Sequence, residues 1–248
     1  EWVVTGQKVW TSAAHYSSWG VLLARTDPGV PKRRGITCIL VEMDSPGIDV
    51  RPLRQIDGAI HFNEVFFDDV RVPVANTLGP VGGGWGVALT MLAHERASIG
   101  GGGMYNMEQV VALARVWADT SDPVVRQRLA DLHSRFEILR YLGYRVRTAA
   151  ARGELPGPES SVMKLAVSAL YETGGDLVVA LQGAAGMLTH DDAPFGGRFQ
   201  DLFMSQWAPR IGGGTDQIQR NIIGERVLGL PGEVRADKDV PFRELPHA

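Results

Sequence analysis

A negatively charged and a positively charged residue are adjacent in the segment "GWGVALTMLAHERASIGGG", where Glu95 directly precedes Arg96. Apolar residues recur there at three- and four-residue steps, and both charged residues fall on the apolar half of a helical wheel. Desolvation on such a face raises the pKa of a carboxyl group toward the range that suits a general base near neutral pH. Arg96 can instead keep the carboxylate ionised, or both side chains can extend to solvent at the helix edge. The pattern alone leaves open whether Glu95 is a catalytic base or half of an ordinary surface pair.

A glycine-rich turn precedes the last apolar-periodic run, in "APRIGGGTDQIQRNIIGERVLGLP". Gly212 and the two glycines after it lead to Thr215, whose hydroxyl suits a helix cap, and Gln217 follows. Backbone N–H groups at the start of a helix attract anions and polar oxygens. The alternative is a plain turn with a threonine cap. A Walker loop is excluded because no Gly-Lys-Ser/Thr follows, and no strand–GxGxxG–helix unit is present.

Two further segments have residue types that suit a planar cofactor. In "KVWTSAAH", Trp10 is followed by the hydroxyls of Thr11 and Ser12, and a flat aromatic wall beside hydrogen-bond donors can seat a heterocycle. In "GAAG", Gly183 and Ala184 follow an apolar run, and small residues allow the backbone to approach a ligand closely. The alternatives are an alternating strand with its tryptophan in the core, and a simple helix contact or helix end.

The bulk composition excludes several classes of function. The chain has 248 residues and a net charge of −3, so a basic surface for nucleic acid is not indicated. The single cysteine, Cys38, excludes an internal disulfide and fits a reducing compartment. No apolar run reaches the roughly 20 residues of a membrane span. The six histidines show no metal-ligand spacing and no GxSxG motif occurs, so we expect neither a metal site nor a hydrolytic triad.

The elements that must position these residues change character near residue 79. Residues 1–79 contain Val-, Trp-, Phe- and Thr-rich runs separated by Pro, Gly and Asp, without a long helical period between them. This pattern predicts an antiparallel sandwich or barrel fragment. From Gly82 onward the period is helical, and residues 80–248 are predicted to form an up-and-down four-helix bundle.

The helix boundaries follow from capping residues. Asp122 and Pro123 predict the start of a long helix that reaches Arg152. The next helix is expected to loosen around Gly174–Gly175, and "FQDLFMSQWAPRI" predicts a shorter one. The last helix is predicted to start at the Thr215 cap and to run to Gly229.

Four motifs, in order along nearly the whole chain, resemble the acyl-CoA dehydrogenase family. They are "KVWTSAAHYSSWGVLLART", "FNEVFFDDVRVP", "GWGVALTMLAHERASIGGG" and "GGTDQIQRNIIGERVLGLP". The resemblance implies an α+β multidomain fold with most of a middle β-domain and a complete C-terminal helical bundle. The N-terminal helical domain and the first β-strands of the family are expected to be absent from this chain, which begins at Glu1 inside a strand-like pattern.

The resemblance also implies an activity. Members of the family bind FAD and an acyl-CoA thioester, and a carboxylate removes the α-proton while the β-hydrogen leaves as hydride to the flavin N5. The product is a trans-2-enoyl-CoA, as in fatty-acid and other lipid metabolism, and N–H donors stabilise the thioester oxygen in an oxyanion hole. Electrons are expected to pass to an electron-transfer flavoprotein or a similar acceptor. A homodimer or homotetramer is implied, with a hetero-oligomer as an alternative, and a cytoplasmic location is expected although a targeting signal cannot be read here.

The family's FAD contacts fall on both parts of the chain. The resemblance places Trp10 against the isoalloxazine ring and Ser12 near its N5 atom. Gly183 and Ala184 line the cofactor's approach and depart from the family's usual glycine pair. Arg115 is expected to reach the FAD pyrophosphate across a subunit contact. The full set implied to bind the cofactor is Trp10, Thr11, Ser12, Arg115, Gly183, Ala184, Thr215 and Gln217.

The position of the catalytic acid is where this chain departs from many members. They have a Tyr-Glu-Gly-Thr motif where residues 212–215 here read Gly-Gly-Gly-Thr. A branch that includes isovaleryl- and long-chain-type enzymes places the base on the first bundle helix, directly before an arginine, and Glu95–Arg96 matches that position. The resemblance therefore implies Glu95 as the base, with the N–H of Gly213 near the thioester oxygen. Arg96, Gly212 and Gly213 are implied at the substrate.

Two other functions on the same scaffold stay open. A non-catalytic partner subunit of a hetero-oligomeric enzyme would bind no flavin at its own site, and a flavin monooxygenase would activate oxygen without an α-proton base. The acid at Glu95 favours the dehydrogenase. The small residue at Gly213 is expected to alter the pocket and to admit branched or bulky acyl groups.

Overall fold

The computed structural model describes residues 1–99, 106–154, 157, 160–232 and 237–246, and side chains 93 and 95–99 lie outside that description. The chain divides into two compact units. The first, the β unit, comprises Glu1–Leu92 and Glu233–Ala248, and the second, the helical unit, comprises Ala93–Gly232.

Two antiparallel three-stranded sheets form the β unit. The strands are β1 (Trp2–Ser12), β2 (Trp19–Arg25), β3 (Ile36–Glu42), β4 (Ile48–Leu53), β5 (Phe62–Val72) and β6 (Thr77–Leu78). One sheet has the order β1-β5-β4 and the other β2-β3-β6. Their apolar faces share one core, in which Ile39 and Val41 of one sheet pack with Val65, Phe67 and Val70 of the other. Because the two sheets are separate rather than closed on each other, the unit is a sandwich and the barrel alternative is wrong.

The first helix begins against the β unit. Helix α1 (Gly84–Ile99) starts where a Cβ on Gly84 would lie 2.6 Å from the backbone nitrogen of Cys38 in β3, so only glycine allows this approach. Cys38 is fully buried, and burial raises the pKa of its thiol, as expected of an inert core cysteine. The α1 residues from position 93 onward belong to the helical unit.

Six α-helices follow α1 in the described residues of the helical unit. They are α2 (Met107–Trp117), α3 (Pro123–Ala151), α4 (Ser160–Leu181), α5 (Arg198–Ser205), α6 (Ala208–Ile211) and α7 (Asp216–Ile222). Helix α4 contacts α2, α3, α5 and α7, and the shared core includes Leu113, Leu132, Leu177 and Phe199. The predicted helical bundle is confirmed.

The capping residues behave as predicted, whereas one glycine pair does not. The Asp122 side chain accepts from the Val124 N–H at 2.7 Å and starts α3. Helix α4 runs through Gly174–Gly175 without a break, so the expected loosening is wrong. A Cβ on Gly175 would lie 2.7 Å from Oε1 of Gln206, so this glycine allows the Gln206 side chain to approach α4 closely. Helix α7 continues as a π-helical turn that ends at Val227, just before the predicted Gly229.

The last described segment, residues 237–246, follows the helices in sequence but packs on the β unit. The Phe242 N–H donates to the Val30 carbonyl at 3.0 Å, and the Arg25 guanidinium lies 3.5 Å from the Phe242 ring centroid. Asp237 pairs with Lys32. In the described ranges no helix is both long enough and apolar enough to cross a membrane.

Candidate functional site

The glycine loop between α6 and α7 has a backbone conformation that favours glycine. Gly213 and Gly214 have φ angles of +66° and +91°, in the left-handed region where a side chain is strained. Thr215 follows as the cap of α7, because its Oγ1 accepts from the Ile218 N–H at 3.2 Å. The predicted cap is confirmed, and the hydroxyl proton of Thr215 has no acceptor among the described residues, so it can donate to a ligand.

The same loop presents backbone N–H donors that no described residue of the chain accepts from. Among the described residues, the N–H groups of Gly213, Gly214 and Thr215 have no acceptor within hydrogen-bond distance. The two glycine carbonyls are engaged, since Nε2 of Gln219 lies 3.0 Å from the Gly213 oxygen and 3.4 Å from the Gly214 oxygen. The loop is therefore an array of free N–H donors, which suits a developing negative charge on oxygen.

A buried ion pair anchors the loop to α4. Lys164 Nζ lies 2.9 Å from Asp216 Oδ1, and both side chains are only 6% exposed. Arg210 Nε lies 3.1 Å from Asp216 Oδ2, and Nη1 of the same arginine lies 3.0 Å from Glu172 Oε2. Ser168 Oγ donates to the Pro209 carbonyl at 3.1 Å. These contacts hold both ends of the glycine loop on one helix.

The ionisation of Asp216 follows from this surrounding. Burial would raise the pKa of Asp216, but hydrogen bonds from Lys164, Arg210 and Ser168 outweigh burial and lower the pKa below its ordinary value. Asp216 is the carboxyl group nearest in sequence to the glycine loop. A carboxylate with a lowered pKa and two cationic partners is a poor proton acceptor, so Asp216 is unsuited to act as a general base.

Acid should remove the stability that Asp216 contributes. Its folded-state pKa lies below the unfolded value near 3.8, so the contribution is complete above that value and is lost as pH falls through the folded pKa. We expect the gap in urea midpoint between wild type and Asp216→Asn to be widest near neutral pH and to shrink below pH of about 4. Urea titrations of both proteins at several pH values measure this gap. A gap that stays constant down to strongly acidic pH contradicts the prediction.

In the β unit, Trp10 lies on a bulge at the end of β1. The pairing of β1 with β5 shifts register between Lys8 and Thr11, and Trp10 has a φ of +60°, which is uncommon for a bulky residue. Its side chain is 64% exposed and meets Phe62 edge-on, with ring centroids 5.9 Å apart. The alternative that places this ring in the core is wrong, because the bulge turns it outward.

The residues beside Trp10 border an apolar cleft. The cleft has a volume of about 240 Å³ and lies between the sheets, with Trp10, Thr11, Leu22 and Phe67 in its wall. The buried Asn63 donates to the Thr11 carbonyl at 3.0 Å and so fixes the strand end. Ser12 is exposed. An exposed aromatic ring, a hydroxyl and an apolar cleft thus come together at one edge of the β unit.

The "GAAG" turn follows α4 directly. Gly183 and Ala184 are exposed, and Gly183 has a φ of +56° with open space where a Cβ would stand. Gly186 instead serves packing, since its Cβ would lie 2.7 Å from the Val179 carbonyl oxygen. Gln200 Nε2 donates to the Ala185 carbonyl at 3.2 Å and holds the turn. The first two residues of the turn are accessible to a ligand, and the last is not.

Of the other predicted site residues, the structure describes the side chain of Arg115 but not those of Glu95 and Arg96. Arg115 is exposed in the last turn of α2. The backbone of α1 includes Glu95 and Arg96, but their side chains lie outside the described part. Their roles stay predictions.

The structure thus groups the predicted site residues by unit. Gly212, Gly213, Thr215 and the exposed Gln217 share one loop and helix start in the helical unit. Trp10, Thr11 and Ser12 share one strand end in the β unit. In the described ranges no cluster of three His, Cys, Asp or Glu side chains is arranged to hold a metal ion.

Sequence reasoning missed the residues that hold the loop: Lys164, Arg210 and Gln219. The available signal was a lone lysine inside the apolar run "SSVMKLAVSAL", which needs a buried partner. Nothing in sequence spacing identifies that partner as Asp216, 52 residues later.

Comparison with known proteins decides the family. Residues 1–70 match the family described as "Acyl-CoA dehydrogenase, middle domain", and residues 82–228 match "Acyl-CoA dehydrogenase, C-terminal domain". The chain belongs to the acyl-CoA dehydrogenase family. The predicted resemblance and the predicted fold are both confirmed.

The similar members of this family are longer than this chain. The acyl-CoA dehydrogenase IpdE1 of Mycobacterium tuberculosis is 40% identical over 240 residues, which cover 95% of this chain and 61% of IpdE1. The acyl-CoA dehydrogenase FadE34 of the same organism is 40% identical over 93% of this chain and 31% of its own length. The chain therefore spans about three fifths of IpdE1.

Solved structures of the family give the same fold. The protein described as "Tcur3481-Tcur3483 steroid ACAD" has a TM-score of 0.86 and 30% identity, over 93% of this chain and 61% of that one. The ChsE4-ChsE5 complex from Mycobacterium tuberculosis has a TM-score of 0.79 and 28% identity, over 93% and 62% of the two chains.

Proposed function

We propose that this chain forms part of an FAD-dependent acyl-CoA dehydrogenase that converts an acyl-CoA thioester to a trans-2-enoyl-CoA. The observation that supports this most directly is the glycine loop, with its free N–H donors and without an available acid. A loop of this kind can stabilise a thioester oxygen but cannot remove a proton. The base must then come from elsewhere, and family membership together with the Glu95–Arg96 pair points to α1.

The described residues suit the cofactor. The exposed Trp10 ring beside an apolar cleft suits one face of a planar tricyclic ring. Ser12 and the free hydroxyl proton of Thr215 offer donors to ring or ribityl oxygens, and the amide of Gln217 can both donate and accept. FAD, when bound, supplies the hydride acceptor at its N5 atom. Arg115, Gly183 and Ala184 are proposed to contact its pyrophosphate-bearing part.

The chain's own residues are assigned two tasks in the reaction. Glu95 is assigned to take the α-proton of the substrate onto its carboxylate, and Arg96, its neighbour in sequence, is assigned to bind the substrate. The N–H of Gly213, with its neighbours in the loop, donates to the thioester oxygen as negative charge develops there. Asp216 keeps the loop in place and does not exchange protons with the substrate.

The substrate is proposed to be bulky and ring-bearing. Three consecutive glycines remove side-chain volume from the loop, and the 30%-identical solved relative is described as a steroid ACAD. A pocket of this kind favours a fused-ring or branched acyl group over a straight chain.

A second candidate is the non-catalytic subunit of a two-component enzyme. It is favoured by the descriptions of the two solved relatives, which name two proteins each. In that case the chain would complete a flavin site on another subunit, and the purified chain alone would lack flavin absorbance. Flavin absorbance is measured for the purified chain and for the chain co-expressed with candidate partners. FAD that appears only in the complex supports this second candidate.

Turnover of matched substrates tests the proposal. We expect the holoprotein to oxidise a ring-bearing acyl-CoA with a kcat/KM at least about tenfold above that for a straight-chain acyl-CoA of similar carbon number. Initial rates with an artificial electron acceptor across straight, branched and ring-bearing thioesters measure this. A strict preference for straight chains contradicts the substrate class, and no flavin reduction by any thioester contradicts the reaction.

A further inference from the structure

The fully buried Gln219 contacts the glycine loop through hydrogen bonds to two of its carbonyl groups. It lies in α7 with no exposed surface, and its Nε2 reaches the carbonyl oxygens of Gly213 and Gly214 at 3.0 and 3.4 Å. The approach is close, because a Cβ on Gly214 would lie 2.7 Å from that nitrogen. This contact therefore depends both on the glutamine and on the glycine above it.

The contact determines where two backbone donors point. In a planar trans peptide the C=O and the next N–H point in opposite directions. With the Gly213 and Gly214 carbonyls directed at Gln219, the N–H groups of Gly214 and Thr215 are directed away from it. These are two of the N–H groups that have no acceptor in the described part of the chain. Gln219 thus orients donors that it does not itself contact.

The oxygen and the nitrogen of the buried Gln219 amide differ in their partners. Oε1 of Gln219 is buried and has no hydrogen-bond partner among the described residues. A buried acceptor left unpaired is unfavourable, and an apolar side chain of the same length would avoid that cost. Nε2 of the same amide is paired with both loop carbonyls, so a methionine at this position would leave the Gly213 and Gly214 oxygens without that donor.

We propose that Gln219 is a positioning residue, which holds the Gly213 and Gly214 carbonyls inward so that the N–H groups of Gly214 and Thr215 face the thioester and the cofactor. This inference rests on the proposed function for the meaning of those donors. The orientation itself is a property of the loop and can be measured without substrate.

The decisive variant is Gln219→Met, with Gln206→Met as the matched control. Gln206 is as buried as Gln219, also has an unpartnered Oε1, and contacts Asp176 rather than the loop. In the holoprotein, Gln219→Met is expected to lower kcat by about 10- to 100-fold, because the donors act on charge that develops in the transition state. KM should change by less than about threefold. Gln206→Met should leave kcat and KM near wild type.

Hydrogen exchange gives the readout that does not depend on catalysis. The N–H groups of Ile218 and residue 219 bond to Oγ1 and the carbonyl of Thr215. If Gln219 holds the loop, both should exchange at least about fivefold faster in Gln219→Met than in wild type or Gln206→Met. Gln219→Glu is the second variant, since its carboxylate cannot donate and repels the Gly213 carbonyl.

The exchange rates and kcat of the Gln219 variants together decide whether Gln219 positions the loop. Faster exchange together with a lower kcat supports the proposal. Unchanged exchange in both Gln219 variants overturns it, and so does faster exchange with an unchanged kcat in an active enzyme. If the wild type oxidises no acyl-CoA, the proposed function fails, and the exchange rates alone then show whether Gln219 positions the loop.

Discussion

Glu95→Gln is expected to reduce acyl-CoA oxidation by about 10²- to 10⁴-fold, the usual range for loss of a general base. The amide keeps the size of the side chain but cannot accept the α-proton. FAD content and KM are expected to change little, because the substitution removes a proton acceptor and not a binding surface. Stopped-flow reduction of the flavin by substrate isolates this step from later electron transfer.

Glu108→Gln is the matched control for Glu95→Gln. Glu108 is exposed in the first turn of α2 and has no proposed role, so its amide variant should turn over like wild type. Flavin reduction at a near wild-type rate in Glu95→Gln would remove this residue from the mechanism. It would also favour the partner-subunit alternative, in which the base need not lie on this chain.

Gly213 is favoured at its position by the backbone conformation of the loop, in addition to replacing the acid of other family members. Its φ of +66° lies in a region that costs a non-glycine residue about 1–2 kcal/mol. A glutamate introduced there must either accept this strain or remodel the loop that Gln219 holds. The loop is therefore built for backbone donors, which is consistent with a base supplied from α1.

Local signals explain how much of the fold was predictable. Runs of β-branched and aromatic residues between Pro, Gly and Asp predicted the strands. In β5 the structure buries every second residue, namely Asn63, Val65 and Phe67. The Asp122 cap and the Thr215 cap started helices where predicted, because each depends on a hydrogen bond to an N–H two or three residues away. The family followed from motif order.

The errors arise where distant residues decide the outcome. Trp10 was compatible with the core by alternation, but the bulge in β1 reverses which way it faces. Gly174–Gly175 suggested a weak helix by propensity, whereas α4 continues through both residues and Gly175 lies close to the Gln206 side chain. The Glu95 side chain lies outside the description, so its role still depends on the match to the family and on the missing acid at Gly213.

Lys164→Met is expected to destabilise the helical unit by about 3 kcal/mol, because it leaves Asp216 buried without its closest partner. Arg210 still contacts the other carboxylate oxygen, so the loss should lie at the lower end of the range for a broken buried pair. Thermal and urea unfolding of the holoprotein measure the change. Lys164→Arg, which keeps the charge, is expected to recover part of it.

Two comparisons distinguish the stability contributed by the buried Lys164–Asp216 pair from the effect of removing any charged side chain. Arg135→Met breaks the exposed pair with Asp131, whose side chains are 42% and 53% exposed, and should cost less than about 1 kcal/mol. The double variant Lys164→Met/Asp216→Asn removes both buried charges, so it should be more stable than Lys164→Met alone. If instead the double variant loses the sum of the two single losses, the two side chains act independently and do not anchor the loop as a pair. The same double variant should also lose flavin-reduction rate, since the helix start that bears Thr215 and the free donors is fixed to α4 through Asp216.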